Sequence, residues 1–207
     1  LQAARAAPGQ ASIALDGKTL RGSFGRFRDR AAAQVLSTFA TDIALVLAHV
    51  DVAHKSNEIP PVQTLLAKLG VGPGAIVTLD TLQCRKKLFE VATAADNTLI
   101  VQLEDNRPTL CQKVQKICAT KVLIGTTTSR NKSRNRDECR IARIFDPATT
   151  LLDTDWRPHL AATIPVEREV FTRNSSTGMW HHFAETELNI ASTPIAAARA
   201  AQAIRAQ

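Results

Sequence analysis

Two aspartates occupy matching positions in this chain. Asp16 follows the run Ser12-Ile13-Ala14-Leu15, and Asp80 follows Ile76-Val77-Thr78-Leu79. If the two runs are neighbouring parallel strands, their carboxyl-terminal ends lie about 5 Å apart. That is the edge at which open α/β sheets bind ligands. Two carboxylates so close repel each other unless a cation sits between them. A pair of Mg²⁺ or Mn²⁺ ions held by carboxylates activates water and stabilises a leaving oxygen in many nucleases and polymerases. The competing reading is that each Asp caps a turn, as Asp16-Gly17 would.

Other residue types exclude some chemistry and invite more. Cys84, Cys111, Cys118 and Cys139 form no C-x-x-C pair and have no His at zinc-finger spacing. Scattered thiols in a chain without a signal-peptide core read as reduced. His181 and His182 are adjacent, so on a strand they point to opposite faces and rarely share one metal ion. The net charge is +7, and it is unevenly spread. Between Lys121 and Phe145 seven cations (Lys121, Arg130, Lys132, Arg134, Arg136, Arg140, Arg143) face only Asp137 and Glu138. Lys18, Arg21, Arg26, Arg28 and Arg30 form a second cluster, opposed by Asp29. Such patches suit a polyphosphate partner, or else form a solvated basic surface.

The elements that must position these groups can be read from the pattern. With 207 residues, 44% hydrophobic and 22% charged, the chain can bury a substantial core. No apolar run is long enough to span a bilayer. Ser12–Leu15 reads as a strand running into an Asp-Gly turn. Gln34–Ala40 and Ile43–Ala53 read as two further strands, which makes a three-strand meander. Pro60-Pro61 opens a helix with Val62, Leu65, Leu66 and Leu69 on one face, closed by Gly70. Ala75–Leu79 is a buried strand, Lys86–Ala95 a helix, Thr98–Leu103 a strand and Pro108–Ala119 a helix, the alternation of parallel βα units.

Beyond Lys121 the texture changes. Thr126–Asn135 is polar and reads as a mobile loop. Cys139–Phe145, Thr163–Thr172 and Trp180–Asn189 read as strands, with a turn at Asn174–Gly178. Thr193-Pro194 then starts a helix from Ile195. Trp156 and Trp180 read as core residues rather than base-stacking platforms.

The residues around the two aspartates carry a resemblance. Asp16-Gly17-Lys18-Thr19-Leu20-Arg21-Gly22-Ser23 resembles the motif that holds the first catalytic Asp in DDE-type insertion-sequence transposases of the H-repeat-associated group. Further matches follow in order: Lys55-Ser56-Asn57-Glu58-Ile59; Ile76-Val77-Thr78-Leu79-Asp80 with Cys84 behind it; Leu103, Asn106 and Pro108-Thr109-Leu110. Arg136, Glu138 and Arg140 resemble a G-R-x-E-x-R pattern, and Ala203-Ile204-Arg205 the lead-in to an H-W-x-I-E-N motif. The chain departs from the pattern at Glu104-Asp105, at Arg107, and at Asn135, which stands where the pattern has Gly.

The resemblance implies an α/β, RNase H-like mixed sheet: a three-strand meander, then βα units, with a β-rich insertion before the final helix. The core carrying both aspartates would span residues 11–120, the insertion 121–190, and the start of a C-terminal catalytic helix region 193–207. It also implies a transposase core that cuts and joins DNA strands. Asp16 and Asp80 would be catalytic and would hold Mg²⁺ or Mn²⁺. Lys18, Arg21, Lys55, Asn57, Arg136 and Arg140 would contact double-stranded DNA, both element ends and target. The third acid, a Glu, lies in the family's H-W-x-I-E-N stretch, which these residues do not contain; the chain is therefore expected to be truncated and inactive alone. The alternative is a non-catalytic remnant that only binds DNA. No membrane partner, a bacterial cytoplasmic location at the nucleoid and a homodimer as candidate assembly complete the expectation.

Overall fold

Apolar runs with few polar interruptions bury on both faces, and here they form the centre of a sheet. The structure is a computed structural model that describes residues 12–19, 34–40, 45–52, 72–79, 84–104, 107–147, 151 and 154–205. The chain is mixed α/β and divides into two compact units, Leu1–Val101 with Ala203–Gln207, and Gln102–Gln202.

In the first unit, strands β1 (Ser12–Thr19), β2 (Gln34–Ala40), β3 (Leu45–Val52), β4 (Ile76–Leu79) and β5 (Thr98–Leu103) lie in the order β3-β2-β1-β4-β5. β1 pairs antiparallel with β2, and β2 with β3. β4 runs parallel to β1 and to β5. The predicted meander and the predicted parallel neighbours are thus both present. Ile13, Leu15, Val77, Leu79, Ile100 and Val101 are almost wholly buried.

β1 departs from its expectation in one respect. It does not turn at Asp16-Gly17 but continues to Thr19, because Asp16, Gly17, Lys18 and Thr19 pair with Ser37, Leu36, Val35 and Gln34. Four more ladder pairs outweigh the local turn preference of Asp-Gly. The predicted helix after Pro60-Pro61 lies outside the described residues.

Helix α1 (Lys86–Ala94) buries Leu88, Phe89 and Ala92, spaced to share one face. It stops at Ala95 because Asp96 takes a left-handed conformation, φ 55°, which ends helices at little cost for a short polar side chain. Asn97 follows, 2% exposed, and its Oδ1 accepts a hydrogen bond from the Ala75 amide at 3.1 Å. Gly74 N donates to Asp96 O at 2.7 Å and Thr98 N to Ala75 O at 2.9 Å. These three bonds clamp the entries of β4 and β5 together and so hold the register of β4.

The second unit has helix α2 (Pro108–Thr120), which starts with Pro at its first turn and buries Leu110, Val114 and Ile117. Its sheet is a four-strand antiparallel meander, β6 (Leu123–Ser133), β7 (Arg136–Phe145), β8 (Ala162–Arg173) and β9 (Trp180–Ala191). α2 packs on β8 and β9. Burial raises the Cys118 thiol above its usual range, against a hydrogen bond with Thr163 that lowers it. The four cysteines are thiols rather than disulfides, as expected. Helix α3 (Ala197–Arg205) starts two residues later than the Thr193-Pro194 signal suggests.

Two expectations are corrected here. Thr126–Asn135 is not a loop: Thr126 to Ser133 belong to β6 and pair residue by residue with Arg136–Arg143 of β7. Cross-strand pairing of Thr-rich polar residues makes a strand that hydrophobic alternation cannot reveal. Trp180 is not core either, being 53% exposed near the end of the β8–β9 hairpin. Trp156 is half-buried beside a short 3-10 turn, Arg157–His159.

Candidate functional site

The first candidate site begins at the carboxyl end of β1. Ser12, Ile13, Ala14 and Leu15 stand beside Ile76, Val77, Thr78 and Leu79 in parallel register. Asp16 is the next residue of β1 and is also paired with Ser37 of β2. Lys18 lies two residues further along the same strand, opposite Val35. Asp80, Arg21, Lys55 and Asn57 lie outside the described residues. Among the described residues no cluster of three or more His, Cys, Asp or Glu is close enough to hold a metal ion.

The second candidate site is built on the four-strand meander. Arg136, Glu138 and Arg140 alternate along β7 and so share one face, as the spacing predicts. The register adds residues that the sequence reading missed: Arg168 of β8 stands opposite Arg140, and Glu185 of β9 stands opposite Arg168. Two guanidiniums directly opposite each other repel. Glu138 resolves this. Its Oε1 accepts from Arg140 Nε at 2.6 Å and Arg168 Nε at 3.1 Å. Its Oε2 accepts from Arg136 Nη2 at 2.7 Å and Nε at 3.1 Å. Arg168 Nη1 in turn donates to Glu185 at 2.6 Å.

Glu138 is 8% exposed. Burial would raise its carboxyl, but the guanidiniums of Arg140, Arg136 and Arg168 outweigh that and hold it at about 2. It is therefore ionised throughout the neutral range. Three arginines face three carboxylates, Glu138, Glu185 and the half-buried Glu187, so the cluster is close to charge balance. The only hint of Arg168 and Glu185 in the sequence is the charge alternation in Glu167-Arg168-Glu169 and Glu185-Thr186-Glu187. Cross-strand register, invisible there, brings them together.

The opposite face carries paired charges of its own. Arg130 Nε and Nη2 donate to Asp137 at 2.8 and 2.6 Å. Arg143 pairs with Glu167. The predicted split of the adjacent histidines holds along β9: His182 contacts Glu169 at 2.9 Å and stacks on Phe171, with ring centroids 4.6 Å apart. No helix among the described residues is long and apolar enough to cross a membrane.

No family model matches the chain. It is 31% identical over 151 residues to YbfL of Escherichia coli K12, a match covering 70% of this chain and 40% of that protein. YhhI of the same organism, provisionally named an H repeat-associated transposase, is 30% identical over 151 residues, covering 70% of this chain and 40% of YhhI. YbfD, with the same provisional name, is 28% identical over 145 residues, 68% of this chain and 57% of YbfD. The matches thus span 40% to 57% of the length of these curated relatives. A Ciona intestinalis endonuclease V bound to inosine-containing DNA is 11% identical, covering 95% of this chain and 78% of its own. Its TM-score of 0.36 is too low to carry an argument. By its sequence, this chain is a relative of the H repeat-associated transposase group over 70% of its length.

Proposed function

We propose that the chain carries the first two carboxylates of a DDE-type, metal-dependent DNA transposase on an RNase H-like sheet. Its work would be strand cleavage and transfer at the ends of an insertion sequence. One observation carries this reading. The parallel register sets Leu15 beside Leu79, and each of these leucines immediately precedes one of the two aspartates in the sequence. The strand order β3-β2-β1-β4-β5, antiparallel and then parallel, supports the RNase H-like assignment.

Asp16 and Asp80 are hard oxygen donors of the kind that suit Mg²⁺ or Mn²⁺. A bound ion would lower the pKa of water and offset charge on the leaving oxygen. Lys18, on the strand that carries Asp16, with Arg21, Lys55 and Asn57, would neutralise and orient DNA phosphates near that edge. Arg136 and Arg140 would do the same on the meander.

These residues supply two of the three acids that the resemblance implies, so metal affinity is a better test of the site than cleavage. Mn²⁺ titration calorimetry on the wild-type chain, Asp16→Asn and Asp80→Asn is the experiment. Each substitution is expected to weaken binding about tenfold or more, about 1.4 kcal/mol. Equal Mn²⁺ binding by wild type and both variants would overturn the assignment.

A further inference from the structure

The far end of the four-strand meander has an unusual surface. The chain has only nine aromatic residues, seven Phe and two Trp. Three of them sit exposed on the β8–β9 hairpin: Trp180 at 53%, Phe183 at 53% and Phe171 at 39%. Met179 beside them is 65% exposed. Large aromatic side chains normally bury, so a cluster left in water marks a contact surface.

The register sorts this cluster by face. Trp180 is opposite Arg173, and His182 is opposite Phe171, on the face that also carries Lys132 and Arg130. Hydrogen bonds brace the supporting turn. Asn174 Oδ1 accepts from the amides of Ser176 and Thr177 at 2.8 and 3.1 Å, and Gly178 takes φ 72°. Arg173 N donates to Asn135 O at 2.8 Å, which ties this hairpin to the β6–β7 turn. The aromatic side chains are therefore carried on a hydrogen-bonded frame.

Charge then selects the partner. Asp137 is taken by Arg130 and Glu138 by its arginines, and Glu169 shares a hydrogen bond with His182. Asp137 also stands opposite Lys132 and attracts it, but among the described residues no carboxylate lies within ion-pair distance of Lys132, Arg134 or Arg173. Exposed cations beside exposed aromatic rings fit a polyanion that also offers flat apolar faces, which is a nucleic acid. Trp180 and His182 are two residues apart on one strand, about 6.6 Å. This is about twice the 3.4 Å rise of stacked bases, so the platforms match a strand whose bases have separated rather than an intact duplex.

We propose that Trp180, with the stacked Phe171 and His182 and the cations Lys132, Arg134 and Arg173, forms a site for unpaired DNA, with Trp180 stacking on a base. The proposal rests on the DNA-binding reading above, and deepens it by assigning unpaired strand to this hairpin end. The test uses the whole 207-residue chain with Trp156→Phe, so that Trp180 is its one tryptophan. A thymidine oligonucleotide of about twelve residues, within the range of single-strand site sizes, and a duplex of the same length are titrated against it at low salt.

The oligonucleotide should quench Trp180 fluorescence to saturation. In the otherwise wild-type chain, followed by anisotropy of a labelled oligonucleotide, Trp180→Ala should weaken unpaired-strand binding about fivefold or more. Trp180→Phe should keep most of the affinity, and duplex affinity should stay unchanged in both. Trp180 is half-exposed, so circular dichroism should show unaltered folding. Binding of both DNAs with no effect of Trp180→Ala, or an equal loss on both, would overturn this proposal and leave DNA binding standing. Binding of neither DNA by wild type would overturn both. Quenching on concentrating the protein without DNA would assign the patch to a second copy and overturn the nucleic-acid site.

Discussion

Replacing Glu138 with Gln removes the charge that three arginines share and keeps the shape. Gln keeps one acceptor oxygen, so only two of the four arginine bonds at 2.6 to 3.1 Å can survive, as weaker neutral ones, and its amide nitrogen faces a guanidinium; Arg140 and Arg168 are left opposite each other. Holding this carboxyl at about 2 rather than 4.5 corresponds to at most about 3 kcal/mol at neutral pH. Arg136 is 47% exposed, so water screens part of that attraction. The expected loss is about 1–2 kcal/mol, a urea midpoint lower by about 0.5–1 M. The sign of the pH dependence follows from the depressed carboxyl. The stabilisation is full above 4.5 and fades as pH falls from 4.5 toward about 2. The assay is urea unfolding followed by tryptophan fluorescence, since Trp156 and Trp180 both lie in the second unit. The gap between wild type and Glu138→Gln should therefore be constant from about pH 7 to 5 and narrow by about pH 3. Equal stability at neutral pH, or a gap that does not narrow in acid, would refute the charge argument.

Three further outcomes are expected. Glu187 is half-buried, and burial, then the neighbouring Glu185 charge, raise its carboxyl above the usual range; Glu187→Gln should stabilise the second unit at neutral pH, with the advantage shrinking in acid, as urea midpoints will show. Asn97→Ala strands the buried Ala75 amide and should cost about 1–3 kcal/mol in the first unit, read as faster hydrogen exchange at Ala75. Changing Arg136 and Arg140 together to Ala should weaken duplex DNA binding and reduce its log–log salt slope by about 0.9 for each phosphate no longer neutralised; an unchanged slope would remove the two from the DNA-binding surface.

What the sequence determined by itself is local. Apolar runs such as Ile76–Leu79 and Leu99–Val101 bury on both faces wherever they pair, so their strand character was legible before any partner was known. The spacing of Leu110, Val114 and Ile117 behind Pro108 marks a helix face for the same reason. Arg136, Glu138 and Arg140 had to share a side of any strand, because side chains alternate. Tertiary structure decided whatever depends on register. β6 is a strand because β7 lies beside it, since its Thr- and Ser-rich residues have no periodicity of their own. Asp16 stays within β1 because β2 pairs past it. Glu138 gains its third arginine because Arg168 arrives from a strand thirty residues away, and Trp180 is half-exposed where β9 begins, opposite Arg173 of β8. Hydrogen-bond ladders and cross-strand charges couple residues far apart in the chain, and the sequence lists those residues without saying which of them meet.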